Sequence, residues 1–166
     1  MLGHLRVRDA VPTDAGRLTQ WACTMARETE NLELDPNIVL AGVTQGIADA
    51  AKAHYIVAVH EVQVAGGEVI AEPVGMLMTT TEWSDWRCGY WWWIQSVYVT
   101  PEHRRAGVFR ALYAHVRALA AARRDVIGLR LYVEHENADA MATYTALGMH
   151  DTGYRIFEST SRRDTR

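Results

Sequence analysis

The sequence predicts an α/β domain with a mixed, mostly antiparallel central sheet and helices on both faces. Strand-like and helix-like segments alternate along the chain without a linker or an internal repeat. The stretch Val97-Tyr98-Val99-Thr100-Pro101-Glu102-His103-Arg104-Arg105-Ala106-Gly107-Val108-Phe109-Arg110-Ala111-Leu112 passes from a buried strand through an Arg/Gly-marked loop into a helix. With 166 residues and 49% apolar content the chain can bury one full core, so residues 1–158 read as a single domain and 159–166 as a polar, frayed tail.

Each element has its own local cause. Residues 5–8 form a short first strand. Thr13 or Asp14 caps a helix that runs through Leu18, Trp21, Ala22 and Met25. Asp35-Pro36 opens a second helix, with proline where a missing N–H costs least. Strands follow over 54–62 and 69–80, joined through Gly66-Gly67 in a hairpin-like turn. A polar loop then leads to a strong strand over 90–99. A helix over 105–123, a strand over 127–134, a helix over 138–147 and a last strand near 150–158 complete the domain.

Within the strand-to-helix stretch, Val97 and Val99 are β-branched, and Pro101 ends the strand because it lacks an N–H. From Val108 the spacing turns helical, with Val108, Leu112, Val116 and Leu119 on one face. A glycine-containing turn into a helix leaves several amides unpaired and aligned with the positive end of the helix dipole, an arrangement suited to phosphate. Arg104 and Arg105 add fixed charge there.

The run Arg104-x-x-Gly107-x-Phe109 resembles the acetyl-CoA pyrophosphate loop of the GCN5-related N-acetyltransferases (GNAT superfamily), Gln/Arg-x-x-Gly-x-Gly/Ala. Downstream, Asn137-Ala138-Asp139-Ala140-Met141-Ala142-Thr143-Tyr144-Thr145-Ala146-Leu147-Gly148-Met149 is similar to that family's second signature, Asn-x-x-Ala-x-x-x-Tyr-x-x-x-Gly-Phe. Between them, residues 127–134 alternate as does the strand that splays from its neighbour to admit the cofactor. The resemblance spans roughly residues 70–158 and departs from the pattern at Phe109, which replaces a small residue. It implies acetyl-CoA as co-substrate. The backbone N–H and C=O of Val97 and Val99 would hold the pantetheine arm. The amides of Arg105, Ala106, Gly107, Val108, Phe109 and Arg110 would take the pyrophosphate, and Asn137 would contact the cofactor. Asn137 equally suits a helix cap.

Acyl transfer from a thioester to an amine needs a neutral amine, a positioned carbonyl and a proton for the departing thiolate. Tyr144, following Asn137 and preceding Gly148, is the candidate general acid and a further cofactor contact; the bland alternative is a half-buried tyrosine with its hydroxyl at the surface. Gly148 reads as the left-handed residue that ends the helix. Many relatives carry Glu near Gln95 or Ser96, and neither of those side chains is a useful base. Either a water chain serves that role or a carboxylate arrives from the loop over 81–87, where Glu82 and Asp85 are interleaved with Trp83 and Trp86. Alternatively this is a surface loop whose tryptophans cover the sheet edge. His135 is a reserve base.

In the run Tyr90-Trp91-Trp92-Trp93-Ile94, strand geometry puts Trp91 and Trp93 on one face, and one face of the run can line an acceptor pocket. Glu28, Glu30, Glu33 and Asp35 form an acidic cluster that either suits a cationic amine or is a solvated surface. No His/Cys/Asp spacing suggests a metal. A net charge of −3 argues against nucleic acid, and no stretch reaches the ~20 apolar residues of a membrane span. Two cysteines and the absence of a secretory signal pattern favour the cytoplasm. The expected activity is acetyl-CoA-dependent N-acetylation of a primary amine on a small cationic or amphipathic molecule. A catalytically silent acyl-CoA sensor is the alternative, and the aromatic central strand makes a homodimer plausible.

Overall fold

The computed structural model describes residues 4–63 and 67–159, which fall into two compact units divided after Leu131. Gly66 and the tail from residue 160 onward, for which a turn and fraying are expected, lie outside the described residues.

In the first unit five strands form one sheet in sequential order: β1 (His4–Asp9), β2 (His54–Gln63), β3 (Val69–Ser84), β4 (Gly89–Val99) and β5 (Val126–Leu131). The first three pairings are antiparallel and β4–β5 is parallel, so the sheet is mixed and mostly antiparallel as expected. The parallel step is bridged by a helix, α3 (Val108–Ala121), because a parallel pair needs a long crossover. Two earlier helices, α1 (Ala15–Glu30) and α2 (Pro36–Ala48), precede β2. Asp35 opens α2 as expected, its carboxylate accepting from the Asn37 amide at 2.8 Å with Pro36 at the first position.

One face of the sheet packs on α1 and α2. Leu18 and Trp21 of α1 and Val43 of α2 meet Val57, Val59, Met76 and Tyr98, and the Trp21 and Tyr98 ring centroids are 5.7 Å apart. The opposite face takes α3. A Cβ placed on Gly75 would come within 3.0 Å of Val108 Cγ1 and 2.9 Å of the Tyr98 carbonyl, so the close seat of α3 requires glycine there.

The start of α1 differs from expectation in its chemistry. Asp14 is buried and leaves the helix uncapped by its side chain. Its carboxylate instead accepts the Val11 amide at 2.8 Å and both arms of the Arg8 guanidinium at 2.6 and 2.9 Å. Hydrogen bonding from Arg8 holds the Asp14 carboxyl below its ordinary range. The carboxylate form therefore stabilises the fold above the unfolded value, and that contribution is lost as pH falls through the lower folded value. Asp14→Ala is expected to cost about 3 kcal/mol at neutral pH, since it strands the Arg8 charge. Thermal melts from neutral to acid pH check this: wild type should lose its advantage only in the acid range, while the variant stays low throughout.

Three boundaries depart from the sequence reading. β3 runs on to Ser84 because Thr81–Ser84 pair with Trp92–Gly89, so the expected polar loop is strand and only Asp85–Arg87 form a turn. Trp83 and Tyr90 stack edge-to-face at 4.9 Å across that pair. The third helix starts at Val108, not at 105, since Arg105 (φ 64°) and Gly107 (φ 85°) are both left-handed. β5 stops at Leu131.

The second unit holds α4 (Ala138–Ala146), matching the expected helix. Gly148 (φ 87°) ends it in the left-handed conformation, with the Met149 amide donating to the Tyr144 carbonyl at 3.0 Å. No strand forms over the described residues 150–159, contrary to expectation. The apolar alternation there buries nothing: Tyr154, Ile156 and Phe157 are all exposed, the last at 92%. A strand without a ladder partner has no hydrogen-bond or packing gain to fix it.

Candidate active site

The loop between β4 and α3 makes a concave anion cradle. The first bond of α3 runs from the Ala111 amide to the Gly107 carbonyl at 3.0 Å, which leaves the amides of Val108, Phe109 and Arg110 at the open end of the helix. The left-handed turns at Arg105 and Gly107 curl the preceding chain around that end. A cavity of about 280 Å³ is lined by Val99, His103, Arg104, Arg105, Gly107, Val108, Phe109 and Arg110. Sequence reading had placed most of these residues together, with Ala106 in the same loop; His103 was missed. Its signal was only its place directly before Arg104. The Phe109 ring is partly buried and lies 6.1 Å from that of Tyr113, leaving its amide at the helix end.

Arg104, expected to add fixed charge at this loop, is engaged with its own chain. Its Nη2 donates to Glu28 at 2.7 Å, its Nε donates to the Val99 carbonyl at 3.1 Å, and its guanidinium lies 5.7 Å from the Tyr98 ring centre. The residue thus ties the loop to α1. Arg105 and Arg110 are further exposed cations of the cradle.

The strand leading into the cradle has an open edge. The β4–β5 pairing ends at Ile94 and Leu131, whereas β4 continues to Val99. The Thr100 amide donates to the Val74 carbonyl at 3.0 Å, so on alternating geometry the backbone groups of Val97 and Val99 face away from β3. A register irregularity between Met78 and Thr79, opposite Ser96 and Ile94, makes Gln95 the extra residue of a bulge just before that edge. Val97 and Val99 therefore lie on a stretch of β4 that β5 does not pair.

Glu82 stands on the sheet face shared by Trp91 and Trp93, as the β3–β4 register requires. One carboxylate oxygen accepts from Trp93 Nε1 and the other from Arg130 Nη1 at 2.8 Å. Arg130 covers the Trp91 ring at 4.2 Å from its centre. The parallel register pairs Arg130 with Trp93 and Gly128 with Trp91, and the indole lies where a Gly128 side chain would be. Arg130 was missed from the sequence because its partner is 48 residues away. Asp85 is not brought to this cluster: it sits in the exposed turn, accepting from the Trp86 amide at 2.8 Å. Trp83 and Trp86 do not cover the sheet edge; Trp86 is 88% exposed. The acidic cluster at the end of α1 and just after it is largely spent on other bonds, Glu28 on Arg104, Glu33 on Arg27 at 2.7 Å and Asp35 on α2.

In the second unit, Asn137 caps α4, accepting from the Ala140 amide at 3.0 Å. Tyr144 is half-buried on that helix, and burial pushes its phenol above its ordinary value. His135 is 88% exposed and touches Glu134 at 2.7 Å. Among the described residues no His/Cys/Asp/Glu group is arranged to hold a metal, and no helix is long and apolar enough to cross a membrane.

Residues 17–149 match the model of the Acetyltransferase (GNAT) family. The chain belongs to this family. Curated proteins gave no match. Among solved structures, a possible acetyltransferase from Clostridium difficile 630 is similar at 35% identity and TM-score 0.83, covering 95% of this chain and 98% of its own. An aminoglycoside N-acetyltransferase, AAC(6')-Iy in complex with CoA, shares the fold at 15% identity and TM-score 0.73 over 96% and 97% of the two chains. So does a ribosomal-protein-alanine N-acetyltransferase from Brucella melitensis biovar Abortus 2308, at 16% identity and TM-score 0.67 over 95% and 100%. This GNAT protein is an acetyltransferase, and its family's acyl donor is acetyl-CoA.

Proposed function

We propose that this chain transfers the acetyl group of acetyl-CoA to a primary amine on a small molecule, with both units serving as parts of one acetyltransferase domain. The family match runs through both units, which supports the single-domain reading. Two observations carry the cofactor assignment: the stretch of β4 at Val97 that β5 does not pair, and the amides at the start of α3 that line the cavity. Strand-edge N–H and C=O suit the amides of a pantetheine arm, and helix-end amides with Arg105 and Arg110 suit a pyrophosphate.

When bound, acetyl-CoA supplies an acetyl group activated as a thioester. The protein's own groups then manage protons. Glu82 takes the proton that the amine must lose, directly or through one water, and Tyr144 gives its phenolic proton to the sulfur as the C–S bond breaks. A phenol is protonated at neutral pH, and burial moves its titration still further from that range. Asn137 orients the start of the helix that carries Tyr144.

Release of CoA with a panel of amines, beside titration calorimetry of acetyl-CoA, tests this reading. Glu82→Gln is expected to lower kcat about a hundredfold with acetyl-CoA affinity retained. Saturable acetyl-CoA binding with no release for any amine would turn the assignment to the sensor.

A further inference from the structure

The acceptor face holds an arrangement that goes beyond a generic amine site. Along β4, the residues Trp91, Trp93 and Gln95 lead towards the open edge at Val97, and the charges on this face are ordered in the same direction. The guanidinium of Arg130 is nearer Trp91, 4.2 Å from its ring centre against 5.8 Å for Trp93. The Glu82 carboxylate is bonded at Trp93. Arg87 adds a second cation 5.7 Å from the Trp91 ring centre. At the side-chain tips the acid thus lies at Trp93, nearer Val97 along β4, and the two cations at the Trp91 ring, farther from it, although the backbone register sets Glu82 opposite Trp91 and Arg130 opposite Trp93. Neither member of the Glu82–Arg130 pair is sealed off: their side chains are 43% and 27% exposed. The Trp91 indole N–H beneath them is buried without an acceptor, so this patch of the face has more donors than the protein's own acceptors use.

We infer that the acceptor is a small amino carboxylate, its amine directed to Glu82 and its carboxylate to Arg130 with Arg87. A zwitterion of that length exchanges one internal ion pair for two matched ones, so neither charge is left unpaired on the aromatic floor. A purely cationic amine satisfies Glu82 and leaves two guanidinium groups facing it. A planar guanidinium with donors to spare is the side chain best matched to a carboxylate. This inference rests on the acetyltransferase reading and narrows its substrate class.

The test compares each common L-amino acid with its carboxamide and its decarboxylated amine. CoA release is read first; binding of the same compounds to CoA-saturated protein is read in parallel by calorimetry. For the best free acid, kcat/KM is expected to exceed that of its amide by about tenfold or more. Arg130→Gln should bring that ratio close to one while acetyl-CoA affinity stays within about twofold, because only the carboxylate partner is lost. Arg87→Gln, in an exposed turn where misfolding is no concern, should lower the ratio in the same direction. Preference for the amide or the bare amine, or a ratio unmoved by both variants, would overturn the inference while leaving the enzyme an N-acetyltransferase. If no compound is turned over, the binding arm decides: free acids held and amides refused support the carboxylate site, and equal or absent binding rejects it.

Discussion

Tyr144→Phe is expected to lower kcat by about a hundred- to a thousandfold while leaving acetyl-CoA affinity within a factor of about two. The substitution removes one oxygen and keeps the ring, so the packing of the half-buried side chain on α4 is retained. What is lost is the proton for the departing thiolate. The pH dependence separates this role from a merely structural one. Burial raises the Tyr144 value above that of a free phenol, which titrates near 10, so the wild-type rate should hold through the neutral range and fall only at strongly alkaline pH. In the variant that alkaline limb should be absent and the residual rate low throughout. The same burial makes a small contribution to stability that is fully present below the unfolded value and lost as pH rises through the folded one. Measured kcat against pH for both proteins, with calorimetric Kd for acetyl-CoA, decides the matter. An unchanged kcat in the variant would assign the thiolate's proton to water.

The loop before α3 was legible because its geometry is local. Arg104, Gly107 and the helical spacing from Val108 all lie within a few residues, and the glycine's need for a positive φ is a property of its own backbone. What could not be read was the conformation of Arg105, an ordinary residue held at φ 64° by the loop around it, and so the helix was expected to start too early. The engagement of Arg104 with Glu28 was hidden for a related reason: the partner comes from α1, 76 residues earlier. Glu82 was singled out as a base candidate, but on a loop that the structure replaces with strand. Thr81-Glu82-Trp83-Ser84 mixes polar and aromatic residues, which reads as loop, whereas a cross-strand partner makes the aromatic an asset to the strand. At the C-terminus the opposite error arose. Tyr154, Ile156 and Phe157 are residues that favour strands, and propensity alone supplies no ladder to join.

Gly107→Val should weaken acetyl-CoA binding about a hundredfold, more than it destabilises the fold. Gly107 sits at φ 85°, where a Cβ meets its own carbonyl at a cost of about 1–2 kcal/mol, and a β-branched residue suffers more than alanine. No neighbouring atom lies within 4 Å of the built Cβ, so the strain comes from the backbone alone and not from crowding of the core. The chain can relieve it only by turning Gly107 out of the left-handed region. That turn re-aims the amides of Val108, Phe109 and Arg110, which are the groups assigned to the pyrophosphate. Hydrogen bonds to a charged acceptor contribute about 1.5–3 kcal/mol each, so losing one good bond and weakening another accounts for the expected factor. Gly107→Ala should fall between wild type and valine on both scales. Gly16, in the first turns of α1 with nothing within 4 Å of its built Cβ, provides the control: Gly16→Ala should raise Tm slightly and leave the cofactor Kd unchanged. Melting curves and acetyl-CoA calorimetry on the four proteins give the result. A valine variant that melts lower yet binds acetyl-CoA as wild type does would show that the helix-end amides are not the pyrophosphate site.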